Sequence, residues 1–262
     1  MAVLFSSACG HHGPAQAKVP PAPSISQSAD DDAPEPDVTR PTQSAPTTAP
    51  RSASPRKSQG DEEENDEAET GSLDVPSNTK SLLVETGLAS WYGPPYHNRR
   101  GANGKIYNMN GMTAAHRTLP LGSIVRVTNT KTGDSAIVEI TDRGPFVEGR
   151  ILDLSLAAAK KTGVWRAGVA PVKMDVLKTP APIDSGGKWA VQIGGFEEQN
   201  AANKLANHLS KRYQTAKILC FSSPVGEWWV RVRVPDDEKK RAEEIAHKTE
   251  SPEGGVFLVR LD

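Results

Sequence analysis

Cysteine is almost absent from this chain: only Cys9 and Cys220 occur among its 262 residues. Two such distant cysteines provide no disulfide framework, and the scattered histidines form no pair at zinc-ligand spacing. Cys220 lies in the apolar run AKILCFS, which favours a buried small hydrophobic side chain. We therefore expect no structural disulfide, no metal ion and no other cofactor.

Long hydrophobic runs and, in the first third of the chain, aromatic residues are also missing. No stretch approaches the roughly 20 apolar residues that a membrane-spanning helix needs. No aromatic residue occurs between Cys9 and Lys80, and residues 1–80 hold 11 of the 21 prolines and 13 Asp/Glu against 6 Lys/Arg. Such a segment cannot bury enough apolar surface to offset its chain entropy. We expect residues 10–80 to form a disordered, Pro-rich, acidic linker.

The first residues, MAVLFSSACGHHG, contain a short apolar run that ends in small residues and a cysteine. They resemble the end of a bacterial lipoprotein signal peptide, with residues 1–9 as a partial signal and Cys9 as the lipidated residue. A long linker is useful when one of its ends is fixed to a surface, which supports a lipid anchor. The alternative is an unprocessed N-terminus with an incidental cysteine.

Residues 84–178 are rich in strand patterns. Apolar and β-branched residues alternate or run together in four segments: GLASWYG (87–93), SIVRVTNT (123–130), SAIVEITD (135–142) and APVKMDVL (170–177). One helix is indicated in DLSLAAAKKTG, with Asp153 or Ser155 as its N-cap and Gly163 as its end. Strands with many long loops and one short helix favour a small closed barrel.

Residues 179–187 form a Pro/Gly-rich linker, and the pattern then changes to alternating strands and helices. Strand patterns cover 189–196, the run AKILCFS, 227–234 and 256–261. Helix patterns cover 197–213 and 236–250, and the second helix has Asp236 or Asp237 as its predicted cap. The order β-α-β-β-α-β over residues 188–262 predicts a four-stranded sheet with two helices on one face.

Six segments in residues 84–178 resemble the rare lipoprotein A family. They are ASWYG (89–93), ANGKIYNM (102–109), TAAHRTLPLG (113–122), VRVTN (125–129), ITDRGPF (140–146) and GRILDLS (149–155). The resemblance implies a six-stranded double-psi β-barrel. The C-terminal segment, with WAVQIGGF as its signature, is similar to a SPOR domain, which in this family binds glycan strands that lack stem peptides. Family members are lipid-anchored lytic transglycosylases of the division septum.

The resemblance also implies catalytic positions. The family has an aspartate in DRGPF and a histidine in AAHRTLP, which are Asp142 and His116 here. It has an acidic residue in the ANG-x loop, where this chain has Lys105. A usual threonine and a usual aspartate are replaced by Gly101 and Asn108.

Lytic cleavage of a glycan needs an acid for the leaving oxygen and a base for the sugar's C6 hydroxyl, and one carboxyl group can serve both in turn. Asp142 is the first candidate; its alternative is a residue of a tight turn. His116 is the second, as an orienting or proton-sharing partner, with loop hydrogen bonding as its alternative. Asp153 is the third, unless it caps the following helix.

Substrate-binding candidates lie in both folded segments. Tyr92 can stack on a sugar, Lys105 can pair with the lactyl carboxylate of N-acetylmuramic acid, and Arg143 can bind substrate or pair with Asp142. In the second segment, adjacent strand residues face opposite sides, so one of two tryptophans faces outward. The candidates for a glycan platform there are Gln192, Phe196, Trp228 and Trp229.

Two functions follow. The first is an endolytic peptidoglycan transglycosylase that cleaves naked glycan strands and leaves 1,6-anhydro ends. The second is a non-catalytic peptidoglycan-binding lipoprotein whose barrel has lost turnover, which Lys105 favours. Expected partners are glycan strands, a membrane through the lipid anchor and division-site proteins, at the septum of the cell envelope. Residues 81–262 hold 25 Lys/Arg against 19 Asp/Glu, but no nucleic-acid motif accompanies that excess.

Overall fold

The computed structural model describes residues 75–76 and 78–262. The predicted lipidation site, Cys9, and nearly all of the predicted linker lie outside the described residues. The first folded unit is a closed barrel with two short helices, α1 (Leu156–Lys161) and α2 (Val164–Ala167). Its strands are β1 (Leu83–Trp91), β2 (Thr113–Ala115), β3 (Ile124–Asn129), β4 (Ser135–Asp142), β5 (Arg150–Leu154) and β6 (Ala170–Lys178).

The six strands close in the order β1-β5-β2-β4-β3-β6. β1 runs parallel to β5 and β2 runs parallel to β4, while the other neighbours are antiparallel. Alternate residues of β3 and β4 point inward, so that Val125, Val127, Val138 and Ile140 are fully buried in the barrel core. The predicted double-psi barrel is confirmed. The strand order places the ends of β4 and β5 on either side of β2.

Helix α1 follows β5 directly. Ser155 is its N-cap, because the Ser155 side chain accepts a hydrogen bond from the backbone N–H of Ala158 at 3.2 Å. Of the two residues predicted as the N-cap, Ser155 caps the helix and Asp153 does not. The Asp153 carboxyl group is therefore available for other contacts.

The second unit has the predicted β-α-β-β-α-β order, which is confirmed. Its sheet has the strand order β10-β7-β9-β8, and both helices share one hydrophobic core with one face of that sheet. The elements are β7 (Trp189–Phe196), α3 (Gln199–Arg212), β8 (Lys217–Ser222), β9 (Trp228–Arg233), α4 (Lys239–Lys248) and β10 (Gly255–Arg260).

The start of α4 differs from the prediction. Asp236 and Asp237 have left-handed φ angles of 58° and 52°, and neither caps the helix, which begins after Glu238. Asp237 instead holds Arg233 through two hydrogen bonds of 2.6 and 2.8 Å. The aspartates form the turn before the helix, a role that Asp tolerates because its short side chain accepts this conformation.

Phe196 corrects the sequence interpretation. The sequence pattern predicts it on the open sheet face with Gln192, but it is fully buried in the core between sheet and helices. The register of β7 against β9 shifts between Gly194 and Phe196, and Gly195 has a φ of 91°. A bulge adds one residue to a strand, and the residues after it then point to the opposite face. Phe196 is therefore unavailable to a ligand.

No helix within the described ranges is long and apolar enough to cross a membrane. The same part of the chain contains no cluster of His, Cys, Asp and Glu side chains suited to a metal ion.

Candidate active site

Two aspartates flank the central short strand of the barrel. Ala115 in β2 pairs with Asp142 of β4 on one side and with Asp153 of β5 on the other. Neighbouring strands lie about 4.8 Å apart, so the backbones of the two aspartates are separated by about 10 Å. The sequence places these residues 11 positions apart, and the barrel closure brings them to one rim.

Asp142 is held by backbone groups through one oxygen only. Its Oδ1 accepts hydrogen bonds from the N–H of Ala102 at 3.0 Å and of Arg143 at 2.8 Å. No residue of the described ranges donates a hydrogen bond to its Oδ2. Burial raises the pKa of the carboxyl above its usual range, against the lowering effect of the two backbone bonds. The group is fixed in orientation, and one oxygen is left for a ligand.

Glycines lie next to both carboxyl groups. A Cβ on Gly101 would lie 3.6 Å from Oδ2 of Asp142, and one on Gly144 would lie 3.8 Å from Oδ2 of Asp153. Any side chain at these positions would extend into the space next to the carboxyl oxygens. At these two positions no side chain therefore stands beside the carboxyl oxygens.

Asp153 is more tightly paired than Asp142. Its Oδ1 accepts a 2.6 Å hydrogen bond from the Ser90 hydroxyl, and its Oδ2 lies 3.5 Å from the guanidinium of Arg150. Burial raises the pKa of Asp153, opposed by Arg150 and Ser90. Its side chain is 16% exposed, and both of its oxygens already have partners.

The His116 imidazole hydrogen-bonds through both nitrogens. Nδ1 accepts the backbone N–H groups of Thr118 and Leu119 at 3.2 and 3.0 Å, so it carries no proton. Nε2 therefore bears the hydrogen and donates it to Glu85 at 3.3 Å. Burial lowers the pKa of His116. The ring is buried and does not contact the Asp142 side chain; only the His116 backbone N–H reaches the Asp142 carbonyl, at 3.1 Å.

Three tyrosines form an aromatic wall beside the aspartates. The Tyr92 ring stacks on Tyr107 with centroids 4.4 Å apart and meets Tyr96 edge-on at 5.7 Å. Tyr107 donates its hydroxyl hydrogen to the Tyr92 carbonyl at 2.9 Å, whereas the buried Tyr92 hydroxyl has no partner in the described part of the chain. Burial, followed by the charge of Asp142, raises the pKa of Tyr92. Sequence analysis missed Tyr107, although an aromatic residue in a Gly-rich loop was a visible signal.

Lys105 lies in the loop that holds Asp142, but its side chain is solvent-exposed. Its backbone fixes the loop: the N–H donates to Asn103 Oδ1 at 2.9 Å, and the carbonyl accepts the N–H of Gly101 at 2.9 Å. No ion pair joins its ammonium group to any of the residues 78–262 that are described.

Arg143 does not pair with the Asp142 side chain through its guanidinium. Its Nη1 donates to the carbonyls of His116 and Leu119 at 3.0 and 2.7 Å, and its Nη2 donates to the carbonyl of Asp262 at 2.6 Å. Burial lowers its pKa to about 10. Arg143 thus connects the Asp142 loop to the segment after β10.

The open face of the second sheet packs on the same loop. The Phe146 ring lies 5.3 Å from Trp229 and 5.8 Å from Phe257 between ring centroids, and the Arg117 guanidinium lies 5.6 Å from the centre of Phe257. Trp229 and Gln192 are consequently almost fully buried. Trp228 faces the other way and packs against the helix-side core. Of the proposed platform residues, only Trp229 and Gln192 share the open face.

Comparison with known proteins agrees with this architecture. Residues 84–174 match the family described as lytic transglycolase, and residues 185–256 match the SPOR domain family. The chain is therefore a protein of the double-psi barrel class that carries a C-terminal SPOR domain.

This chain belongs to the rare lipoprotein A family. It is 43% identical over 136 residues to the endolytic peptidoglycan transglycosylase RlpA of Vibrio cholerae, covering 49% of this chain and 52% of that protein. It is 41% identical over 145 residues to the RlpA of Neisseria meningitidis serogroup B, covering 55% of this chain and 61% of that protein. A probable RlpA of Synechocystis is 52% identical over 95 residues, covering 36% of this chain and 30% of that protein. The matched region spans between about a third and three fifths of the length of these relatives.

Proposed function

We propose that this chain is an endolytic peptidoglycan transglycosylase that cleaves glycan strands lacking stem peptides and leaves 1,6-anhydro-N-acetylmuramic acid ends. The observation that carries the proposal is Asp142, whose carboxyl pKa is raised by burial and whose Oδ2 accepts no hydrogen bond from the described residues. An acid with a raised pKa holds its proton closer to neutral pH. The names of the relatives support the same activity.

One carboxyl group completes the reaction. Protonated Asp142 donates its proton to the glycosidic oxygen as the bond from that oxygen to C1 of N-acetylmuramic acid breaks. The Asp142 carboxylate then accepts the proton of the C6 hydroxyl as O6 bonds to C1, which closes the anhydro ring and restores the acid. No water is consumed. Hydrolysis, by contrast, commonly uses two carboxyl groups at a set separation.

Asp153 and His116 have supporting roles in this proposal. The Asp153 carboxyl, two strands from Asp142 and partly exposed, is suited to stabilise the positive charge that develops at C1. His116, which holds the loop through its Nδ1 and pairs with Glu85, orients the backbone next to Asp142. It does not share a proton with the substrate.

The remaining candidates bind the strand. Tyr92 and Tyr96 offer rings for stacking against sugars, and exposed Lys105 is free to pair with the lactyl carboxylate. Arg143 contributes through the loop geometry that it fixes. In the SPOR domain, Gln192 and Trp229 contact glycan when the sheet face is uncovered, since both are buried against the barrel otherwise.

The proposed location depends on the ligand. A domain pair that acts on peptidoglycan belongs in the cell envelope, and we propose attachment to a membrane through lipidated Cys9 and enrichment at the division septum, where division-site proteins recruit it. Fractionation of a Cys9→Ala variant tests the anchor: the protein is expected to move from the membrane fraction to the soluble envelope fraction. Unchanged membrane association would contradict it.

The second candidate function is a wall-binding protein without turnover. The observation that favours it is Lys105: the loop that hydrogen-bonds Asp142 carries an exposed ammonium group where the family has a carboxyl group. In that case the barrel and SPOR domain would retain the chain on naked glycan without cutting it.

Digestion of amidase-treated sacculi distinguishes the two. The full chain is incubated with sacculi whose stem peptides have been removed, and soluble fragments are analysed by mass spectrometry for 1,6-anhydro ends. The enzyme function predicts such ends, and Asp142→Asn should abolish them. Binding to the sacculi without any release of anhydro fragments would establish the second function instead.

A further inference from the structure

The SPOR sheet meets the barrel at the catalytic rim. Phe146, four residues after Asp142, packs against Trp229 of β9 and Phe257 of β10. Backbone bonds secure the contact, since the Arg260 N–H donates to the Arg117 carbonyl at 3.0 Å and the Leu121 N–H donates to the Asp262 carbonyl at 3.2 Å. The interface therefore joins the active-site loop to one specific face of the second sheet.

Arg231 lies on that face, two residues from Trp229 along β9, and so points to the same side. Its guanidinium is held by Gln192, whose Oε1 accepts hydrogen bonds from Nε at 3.1 Å and from Nη2 at 2.6 Å. It also lies 5.1 Å from the centre of the Phe221 ring. These contacts fix a positive charge on the surface that covers the Asp142 loop.

We propose that Arg231 of the SPOR domain is a positioning residue of the barrel's active site, where its fixed charge acts on Asp142. The proposal rests on the proposed function for its catalytic meaning. It implies that the active site is complete only while the sheet is docked, because the barrel alone lacks this cation.

The electrostatic surroundings of Asp142 support this role. Burial raises the Asp142 pKa, and the charges of Arg143 from its own loop and of Arg231 from β9 lower it. The hydroxyls of Tyr92, Tyr96 and Tyr107 also lie near it; they are neutral at their ordinary pKa of 10.0, and burial raises each pKa further. Asp153 lies on the other side of β2. A carboxyl that must act first as an acid and then as a base works best with a pKa near the operating pH. Arg231 offsets part of the effect of burial.

The test replaces the charge and follows the titration of Asp142. Full-length R231Q and R231M remove the cation, and R231K keeps it. R233Q is the matched control, because Arg233 lies two residues further along the same strand and pairs with Asp237. The Asp142 carboxyl carbon is observed by NMR in ¹³C-aspartate-labelled protein and assigned by its loss in D142N. The pH dependence of kcat/KM on denuded glycan is measured in parallel.

Loss of the cation should move the Asp142 titration midpoint to higher pH, because the carboxylate loses a favourable partner. The alkaline limb of the rate profile should move in the same direction, while R231K and R233Q keep the wild-type values. A purely structural role would lower the rate without moving either midpoint. Unchanged midpoints in R231Q and R231M, or an equal shift in R233Q, would overturn the proposal.

Failure of this proposal and failure of the proposed function are separable. If the wild-type chain releases no anhydro ends, the function is refuted, but the NMR titration still decides whether Arg231 acts on Asp142. If the chain is active and the titrations of wild type and R231Q coincide, the function stands and the role of Arg231 is refuted.

Discussion

Asp142 differs from an ordinary turn aspartate in how its two oxygens are used. Turn chemistry accounts for Oδ1, which accepts the neighbouring backbone N–H of Arg143. It does not account for the second backbone bond from Ala102, 40 residues away, or for Oδ2, which accepts no hydrogen bond from the described residues. The Ala102 bond and the unpaired Oδ2 therefore favour a catalytic interpretation of Asp142 over a purely structural one.

Asp142→Asn should abolish anhydro products while leaving the fold intact. The amide keeps an oxygen for the Ala102 and Arg143 N–H groups but has no proton to give or take. A positioned acid–base group is worth about 10²–10⁴ in rate, so release of anhydro ends should fall by that factor. The measurement is quantitative mass spectrometry of digested, denuded sacculi, with the thermal unfolding midpoint as a fold control. Full activity in the variant would make Asp153 the next acid to test.

Lys105→Glu should raise turnover. The substitution adds a carboxyl group to the loop that holds Asp142, and because the Lys105 side chain is exposed, it should not disturb packing. Lys131→Glu makes the same charge change at another exposed lysine and serves as the control. The initial rate of anhydro-end formation is measured for all three proteins. Equal rates in wild type and Lys105→Glu would show that Asp142 suffices without that carboxyl.

Acid should destabilise the barrel through His116. In the folded state, burial lowers the pKa of His116 below its ordinary value of 6.5. The unfolded chain therefore binds the proton more readily. The stability from the neutral ring is full above pH 6.5 and is lost as pH falls below it. The pKa of Glu85 is lowered mainly by its hydrogen bond to His116. Protonation of Glu85 at more acidic pH therefore lowers the free energy of unfolding further.

Thermal unfolding between pH 7.5 and 5.5 (roughly one unit either side of a free histidine) measures this effect. His116→Gln should flatten the dependence, whereas His208→Gln, at an exposed position of α3, should leave it unchanged. A wild-type midpoint that does not fall toward acid would contradict the neutral, buried assignment.

Much of the site could be predicted from sequence at this scale, but its partners could not. The motif around Asp142 singled out that residue, whose catalytic role stays a prediction. The partners of His116 and Asp153, Glu85 and Ser90, lie 31 and 63 residues away, and neither partner was singled out by the sequence. Only the closure of the barrel brings such pairs together.

At the level of elements, alternation predicted the longer strands and missed the short ones. β3 and β4 have one buried face and one partly exposed face, which produces the two-residue period. β2 has three residues, too few for a period, and β5 has apolar residues on both sides of Asp153. These two strands frame the candidate site, so the elements that matter most for function carried the weakest local signal.

The bulge in β7 is the element-level feature that redirected Phe196. Its stability depends on Gly195, whose φ of 91° favours glycine. A Cβ there would meet only ordinary contacts, the nearest being Trp229 at 3.7 Å. A side chain at position 195 would therefore destabilise the domain through its unfavourable positive φ angle and not through a steric clash.

Gly195→Ala should destabilise the SPOR domain by about 1–2 kcal/mol and leave the barrel unaffected. Calorimetry of the full chain should show an earlier transition for one domain. Hydrogen exchange should assign that transition to β7 and its neighbours. An unchanged profile would mean that the bulge accepts another conformation without cost.

At the scale of the molecule, the barrel covers the open face of the second domain's sheet. Trp229 and Gln192 are nearly inaccessible because the barrel's Phe146 lies against the sheet. The sequence predicted both domains but not this contact, since an interface between separate cores leaves no periodic pattern. The SPOR domain nevertheless has its own core around Trp189, Val191 and Ile193.

Residues 185–262 alone should bind denuded sacculi more tightly than the full chain does. Separation from the barrel uncovers the aromatic face, and full-length Phe146→Ala should fall between the two. Val147→Ala, at the exposed neighbouring residue, is the control and should bind like wild type. Sedimentation with sacculi measures the bound fraction. Tighter binding by the full chain would show that the docked face is not the one that binds glycan.

Under the proposed function, the position of Phe146 would also make the molecule responsive to the local amount of glycan. A sugar ring and Phe146 compete for the same aromatic pair, and a short linker gives the internal competitor an effective concentration on the order of millimolar. Sparse strands do not displace Phe146, so the sheet stays docked and Arg231 stays on the face that covers the Asp142 loop. Crowded strands displace Phe146 from the sheet, and the chain then binds the wall without cutting it. The ratio of the two forms would thus report the local density of naked glycan.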